Sequence, residues 1–413
     1  MRASATLALL LSGPTAVAFA QPVAPVALLE SVARSPQLEA ARRRIDAARA
    51  RVDSAGRLAD PEVGVMGSRV NADAGGENRD MWELNVRQPL PKRGERAADR
   101  ERAAAVVGMA EAEYAMTAGD LAGDVAMALA EVEGADARAR LIEAQLARMG
   151  AVLQSIESRL ASGVATRLSD RLSVQSRVAA FQLQLEQTQR LAADARANVR
   201  SRLALAPDAP LPAFTAPAVT EISTTDAATI ALATARIAEA NAQGKMARAS
   251  ANPMTSVGLR FERERSSMGS QDTVGLAVSS EIPWRNRRYS RADARAAEAD
   301  RAAAQADATA ARHRISSAVS RVERAERVAV TARRLSAETQ KRLDAEHETL
   351  NRATSVGVGT GMGGESAVLH AVGILDKTNE TQLQIIEAET TARIARAELW
   401  RYVPAQRLLH LSP

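Results

Sequence analysis

The chain has 413 residues, enough for two or three ordinary domains or for one elongated one. Aromatic residues make up only 2% and cysteine is absent, which excludes a disulfide framework and argues against a core built on large rings; an apolar content carried by Ala, Leu and Val suits helices packed along thin seams. The formal net charge is +5, but arginine is interleaved with Asp and Glu as on solvated helix faces, with no basic block beside aromatics, so nucleic acid is not an expected partner.

The first residues read as a signal peptide over 1–20: Arg2 supplies a positive start, Ala5 to Leu11 a short apolar core, and Ala18-Phe19-Ala20 a cleavage site before Gln21. No cysteine stands at that site to carry a lipid anchor. Beyond it no uninterrupted apolar run reaches the roughly 18 residues that a spanning helix needs, so any crossing of a membrane must use β-strands.

A first helix follows. Ser35-Pro36 is an N-cap with a first helical residue, and Leu38, Ala41, Ile45, Ala48, Val52 and Ala55 repeat with coiled-coil spacing. Asp60 precedes Pro61, which turns the chain to extended structure. Two strands are expected at 61–70 and 82–90, with Trp82, Leu84 and Val86 alternating against Glu83, Asn85 and Arg87, joined by a polar loop at 71–80. A proline-free helix from Arg93 to about Leu160 would be about 100 Å long. Its lower seam is Ile142, Leu146, Met149, Leu153, Ile156 and Leu160. The chain turns at Ala161-Ser162-Gly163, returns along Val174, Val178, Phe181 and Leu185, and reaches a proline-rich linker at 203–214.

The layout then recurs. Strands are expected at 253–262 and 273–283 around a loop at 263–272, a long helix from about Arg287 to Ala345, a glycine-rich turn at 355–364 containing Gly357, Gly359 and Gly361, and a return through Leu383, Ile386 and Ile394 to Trp400. Pro61 and Pro253 lie 192 positions apart (253 − 61), as do Pro91 and Pro283 (283 − 91). The chain therefore divides into two structural repeats, 21–213 and 214–413, a duplicated half rather than a short-period array. Four strands cannot close a barrel alone, and open edges in lipid leave backbone groups unpaired, so membrane strands would have to be pooled by several chains; three chains would supply twelve.

With SPQLEAARRRIDAARARVDSAGRLADPEVGV at 35–65, Pro91-Lys92-Arg93-Gly94 after the second strand, and ARANVRSRLALAPDAPL closing the first half, this layout resembles the TolC-like outer-membrane efflux proteins, over essentially the whole mature chain. The PKRGER element is most similar to the CzcC-like branch, which serves heavy-metal efflux. The resemblance implies a mainly α fold with a small membrane β part: long α-helical hairpins forming an α-barrel, and four strands per chain in a trimeric twelve-stranded outer-membrane barrel. It implies a passive exit duct in the outer membrane with a long periplasmic extension, whose partners are outer-membrane lipid, two further copies, a periplasmic adaptor and an inner-membrane pump. A type I secretion duct and a periplasmic coiled-coil adaptor are the alternatives. The glycine-rich second turn is longer than the family's usual one.

No enzyme is expected. His313, His347, His370 and His410 are scattered without metal-motif spacing, and the glycine-rich turn lacks the Lys-Ser/Thr of a phosphate loop, so neither a cofactor nor a bound metal is implied. The candidate residues are those of a channel. Asp170, Glu365 and Asp376 near the two turns, present three times in a trimer, would ring the periplasmic entrance and favour cations, with Arg159 and Arg167 as partners and Gly163 in the first turn. Glu83, Asn85, Arg87, Arg260 and Glu262 would line the barrel lumen, and Trp82 and Trp284 would mark the membrane interfaces.

Overall fold

The computed structural model describes residues 26–70, 79–162, 168–266, 269–281, 283–355 and 367–411. The expected cleavage residues Ala18 and Ala20, the turn residues Gly163, Gly357, Gly359 and Gly361, and Arg167 and Glu365 lie outside them.

A short helix α1 (Val26–Ala33) leads into α2 (Pro36–Ser54), the hairpin β1 (Glu62–Val70) and β2 (Arg79–Leu90), the rod α3 (Glu95–Ala161) and the return helix α4 (Leu168–Arg202). After a linker containing a 3-10 turn at Val219–Glu221 come α5 (Ala228–Ser250), β3 (Thr255–Ser266), β4 (Gly269–Ser280), the rod α6 (Asn286–Ser355) and α7 (Ala367–Glu398). A 3-10 turn (Leu399–Tyr402) and α8 (Ala405–Leu409) follow.

The elements stand in four columns. α3 packs against α2 and α4 and also against α5 and α7, whereas α6 packs against α5 and α7. The column order is therefore α2/α4, α3, α5/α7, α6. The antiparallel sheet has the order β1-β2-β3-β4, so each strand continues the column that its own helix begins or ends.

Local chemistry explains the column ends. The Ser35 hydroxyl accepts from the Leu38 N–H at 3.3 Å, with Pro36 in the first helical turn, as the sequence predicts. The predicted α2 seam is shorter than expected: Leu38, Ala41, Ile45 and Ala48 are buried, but Val52 is exposed and Ala55 lies past the helix. The reason is tertiary, because the chain there bends to meet the start of α3. The Gly56 N–H donates to Asp99 at 2.7 Å, and Arg96 donates to the Gly56 carbonyl at 2.7 Å.

The strands run longer than their alternation predicts. β3 and β4 carry the ladder through 263–266 and 269–272, the stretch expected to be a loop. Charge interrupts the apolar pattern there, but Arg263 and Asp272 face each other across the ladder and pair through two hydrogen bonds of 2.7 and 2.8 Å. Likewise α6 continues ten residues past the predicted Ala345.

The main core lies around the middle of α3. Leu121, Val125 and Leu129 of the rod meet Leu28 and Val32 of α1, Val199 of α4, and Trp400 and Leu408 of the C-terminal segment. Trp400 is 1% exposed; its indole N–H donates to the Thr215 carbonyl at 3.0 Å, and the Arg407 guanidinium lies 5.7 Å from its ring centroid. The linker at 203–226 is thus part of the core's wall rather than a loose connection.

Candidate functional site

The two ends of the columns carry the chemistry. In the sheet, register alone sorts the side chains onto two faces. Val63, Val86, Leu259 and Leu276 form one cross-strand row, and Val65, Leu84, Phe261 and Val274 form the next on the same face. All eight are exposed, Leu276 by 81%. Trp82 continues this face toward the 71–78 end, lying against Gly67 with ring carbons 3.4–3.6 Å from where a Cβ would stand. One row further, Arg69 and Asp80 pair bidentately at 2.7 and 3.1 Å, so the apolar band stops at paired charges.

The opposite face is polar and more sheltered. Glu83, Asn85 and Arg87 stand on it with Arg260 and Glu262 of β3. Arg260 reaches Glu83 at 2.9 Å and Glu262 at 3.3 Å, Arg87 pairs with Glu62, and Arg79 with Glu264 at 3.1 Å. The Glu83 side chain is only 17% exposed. The sheet is therefore inverted relative to a soluble one, with its apolar face the more exposed and its ion pairs on the more sheltered side. The strand order leaves β1 and β4 as open edges. Among the described residues no helix is long and apolar enough to cross a membrane.

At the other end α3, α4 and α7 converge. Met149, Ile156, Val174, Val372 and Leu375 make a small apolar cluster. Two ion pairs hold its rim: Arg171 to Glu157 at 3.2 Å joins α4 to α3, and Arg177 to Asp376 joins α4 to α7. Arg177 and Asp376 border a groove of about 350 Å³ with Phe181, Asn379, Glu380 and Leu383. Among the described residues, one carboxylate oxygen of Asp376 and the Asn379 side-chain oxygen are buried there without a hydrogen-bond partner, as is the Gln145 amide nitrogen in the α3 seam. Asp170, 2% exposed in the first turn of α4, lies beside the Ser169 hydroxyl at 3.4 Å, and Arg159 occupies the last turn of α3, half-buried.

Of the residues singled out from sequence, Asp376, Asp170 and Arg159 thus gather at the tip, and the five polar strand residues share one sheet face. Arg177 was not anticipated. It pairs with a residue distant in the chain, and nothing in its own heptad position marks it. Two further carboxylates sit along α3: burial pushes Glu133 up from the usual range although Arg393 pairs with it, and burial likewise pushes Asp120 up against the opposing influence of Arg401. Among the described residues no three of His, Cys, Asp and Glu come together as a metal site.

Known proteins share this architecture. The sequence profile of the outer membrane efflux protein family matches residues 28–204, which hold α1 to α4 and the first hairpin. Several solved structures cover both halves. A membrane protein from Pseudomonas aeruginosa superimposes with a TM-score of 0.71 at 20% identity, over 93% of this chain and 91% of that one. The outer membrane protein VceC from Vibrio cholerae gives 0.66 at 18%, over 91% and 95%. The open state of the Neisseria gonorrhoeae MtrE outer membrane channel gives 0.64 at 17%, over 91% and 88%. No curated protein sequence matches the chain. The chain has the fold of these outer-membrane channel structures, and residues 28–204 carry the sequence profile of the outer membrane efflux protein family.

Proposed function

We propose that this chain is one third of a passive outer-membrane exit duct, and that three copies close into a twelve-stranded barrel continued by a ring of helical columns. The observation that carries the proposal is the inverted sheet with two open edges: its apolar face suits lipid, its charged face suits a wet lumen, and neither edge is tolerable in lipid until another copy's strand pairs with it. The outer columns support the same reading. Exposed leucines on α4 (Leu183, Leu191) and exposed Val328, Val330 and Leu335 on α6 lie on opposite ends of the column order, where neighbouring copies meet in a ring.

In this reading the tip is the periplasmic entrance. The Arg177–Asp376 pair ties α4 to α7 and holds the end narrow, while Asp170, Glu365 and the remaining acids bias it toward cations. An adaptor and an inner-membrane pump dock at that end and supply the energy. Heavy-metal cations are the proposed cargo, on the resemblance of the PKRGER element to the CzcC-like branch. Residues 1–20 act as the export signal, and the two halves descend from a duplication. Fractionation tests the duct: a detergent-stable trimer in the outer-membrane fraction is expected, and a monomer in plain buffer would overturn it. Growth of a deletion strain on zinc, cobalt and cadmium salts against a panel of drugs tests the cargo; unchanged metal tolerance with heightened drug sensitivity would remove metals.

A further inference from the structure

The two strand-to-rod junctions share a layout and differ in chemistry. At the first, Lys92, Arg96 and Asp99 are engaged by the neighbouring columns and Glu95 by the junction's own backbone. Lys92 donates to the Ser250 carbonyl at 3.1 Å, Arg96 to the Gly56 carbonyl at 2.7 Å, and Asp99 accepts from the Gly56 N–H at 2.7 Å. Glu95 accepts from the Lys92 N–H at 2.8 Å. Displaced by 192 positions (283 − 91), Lys92 becomes Trp284, Glu95 becomes Arg287 and Asp99 becomes Arg291, while Arg96 becomes Arg288. Both acids have turned into arginines.

These arginines do no visible work within the chain. Arg287, Arg288 and Arg291 are exposed, and their guanidinium groups form no ion pair or hydrogen bond among the described residues. Arginine at the start of a helix opposes the macrodipole, and the first turn of α6 contains no acid to offset it. Glu281 and Asp293 are the acids nearest in sequence, and on the facing column Arg248 is basic and already turned to Glu298 at 3.9 Å. The cluster is therefore unfavourable for the isolated chain and calls for an anion from outside. Its position says which one. Trp284, 82% exposed, lies between the arginines and β4, whose Val274, Leu276 and Val278 form the most exposed part of the apolar face. Apolar band, indole and guanidinium groups follow one another down a single column, in the order of acyl chain, interface and headgroup.

We propose that Arg287, Arg288 and Arg291, with Trp284 as the interfacial anchor, form a docking collar for anionic phospholipid headgroups in the leaflet on the helical side of the membrane. The collar rests on the membrane placement of the sheet proposed above. It fixes the depth of the barrel at α6.

The test uses the full chain purified in mild detergent and presented with phosphatidylglycerol or phosphatidylcholine nanodiscs. The parent is expected to retain phosphatidylglycerol over phosphatidylcholine by roughly fivefold or more at moderate salt, since each surface arginine adds about one further increment of anionic-lipid attraction. The triple variant R287Q/R288Q/R291Q is expected to lose that preference while remaining trimeric and in the outer-membrane fraction, and the triple lysine variant to keep most of it. A parent without preference, a glutamine variant that keeps it, or a glutamine variant that loses the trimer instead would overturn the collar; the last would assign the arginines to a neighbouring copy's acids. A parent absent from the membrane fraction would overturn the duct itself, a separate outcome.

Discussion

The two rods, α3 and α6, are 67 and 70 residues long, yet they live in different surroundings. In the middle of α3, consecutive residues such as Leu121, Ala122 and Gly123, or Ala128, Leu129 and Ala130, are all buried, and only a narrow strip at Glu113, Asp120 and Glu131 stays open. α6 instead buries one stripe. Ser290, Ala297, Ala304, Ala311 and Ala318 recur every seventh residue, and Ala308, Ile315, Val322 and Ala329 form the second line of the same heptad. The remaining surface of α6 is largely charged residues and alanine, with Tyr289, Val328, Val330 and Leu335 as exposed large apolar side chains. A single chain covers most of the first rod and only one stripe of the second.

The comparison can be broken first at α3. A Cβ on Gly119 would stand 2.9 Å from the Trp400 carbonyl oxygen, a backbone atom that cannot swing away. Gly119→Leu should therefore cost at least about 3 kcal/mol and abolish recovery of folded protein, read by yield and thermal unfolding. The next largest effect separates the faces of α6. Ile315→Ala, at a fully buried seam position, should cost about 2–5 kcal/mol, whereas Val328→Ala on the open face should change the stability of the chain by less than about 0.5 kcal/mol. Equal losses in denaturant titration would end the distinction. Val328→Glu with Leu335→Glu sharpens it: helicity by circular dichroism should persist while the trimer fraction in native mass spectrometry falls severalfold.

At the tip, Arg177→Gln removes the tie between α4 and α7 and leaves Asp376 with neither oxygen paired to a cation. Single-channel conductance in planar bilayers should rise, with more frequent openings; an unchanged trace would show that the pair does not hold the entrance. The smallest effect is that of pH. Glu133 and Asp120 are pushed up by burial, so the folded chain binds their protons more tightly than the unfolded chain does. Their ionised forms weaken the fold at neutral pH, and stability should rise as pH falls through their folded values toward the unfolded 4.5 and 3.8. Both groups are partly solvated, so the gain should be small, read as a rise in Tm as pH is lowered toward those unfolded values, and Glu133→Gln should reduce it.

Much of the fold was legible in particular residues. Ser35-Pro36 marked the start of α2, Trp82-Leu84-Val86 fixed which strand face is apolar, and the proline-free runs gave both rods. The legibility failed where partners supply the reason. Arg263 and Asp272 looked like loop because their charges broke an apolar alternation, and only the facing strand shows that they pair. Val52 kept the heptad but lost its burial because α2 ends against the Gly56–Asp99 contact. Trp400 looked like the end of a helix seam, and it proved to be an anchor of the central core, tied to Thr215.

The sequence by itself determined periods: two residues for the strands, seven for the seams, and the doubled order of elements, because side-chain direction repeats with the local backbone geometry of each segment. Partners came from the folded chain alone: which column lies between which, that α3 is the more covered rod, and that Arg177 meets Asp376. Those choices depend on contacts between residues far apart in the chain, and no local period encodes them.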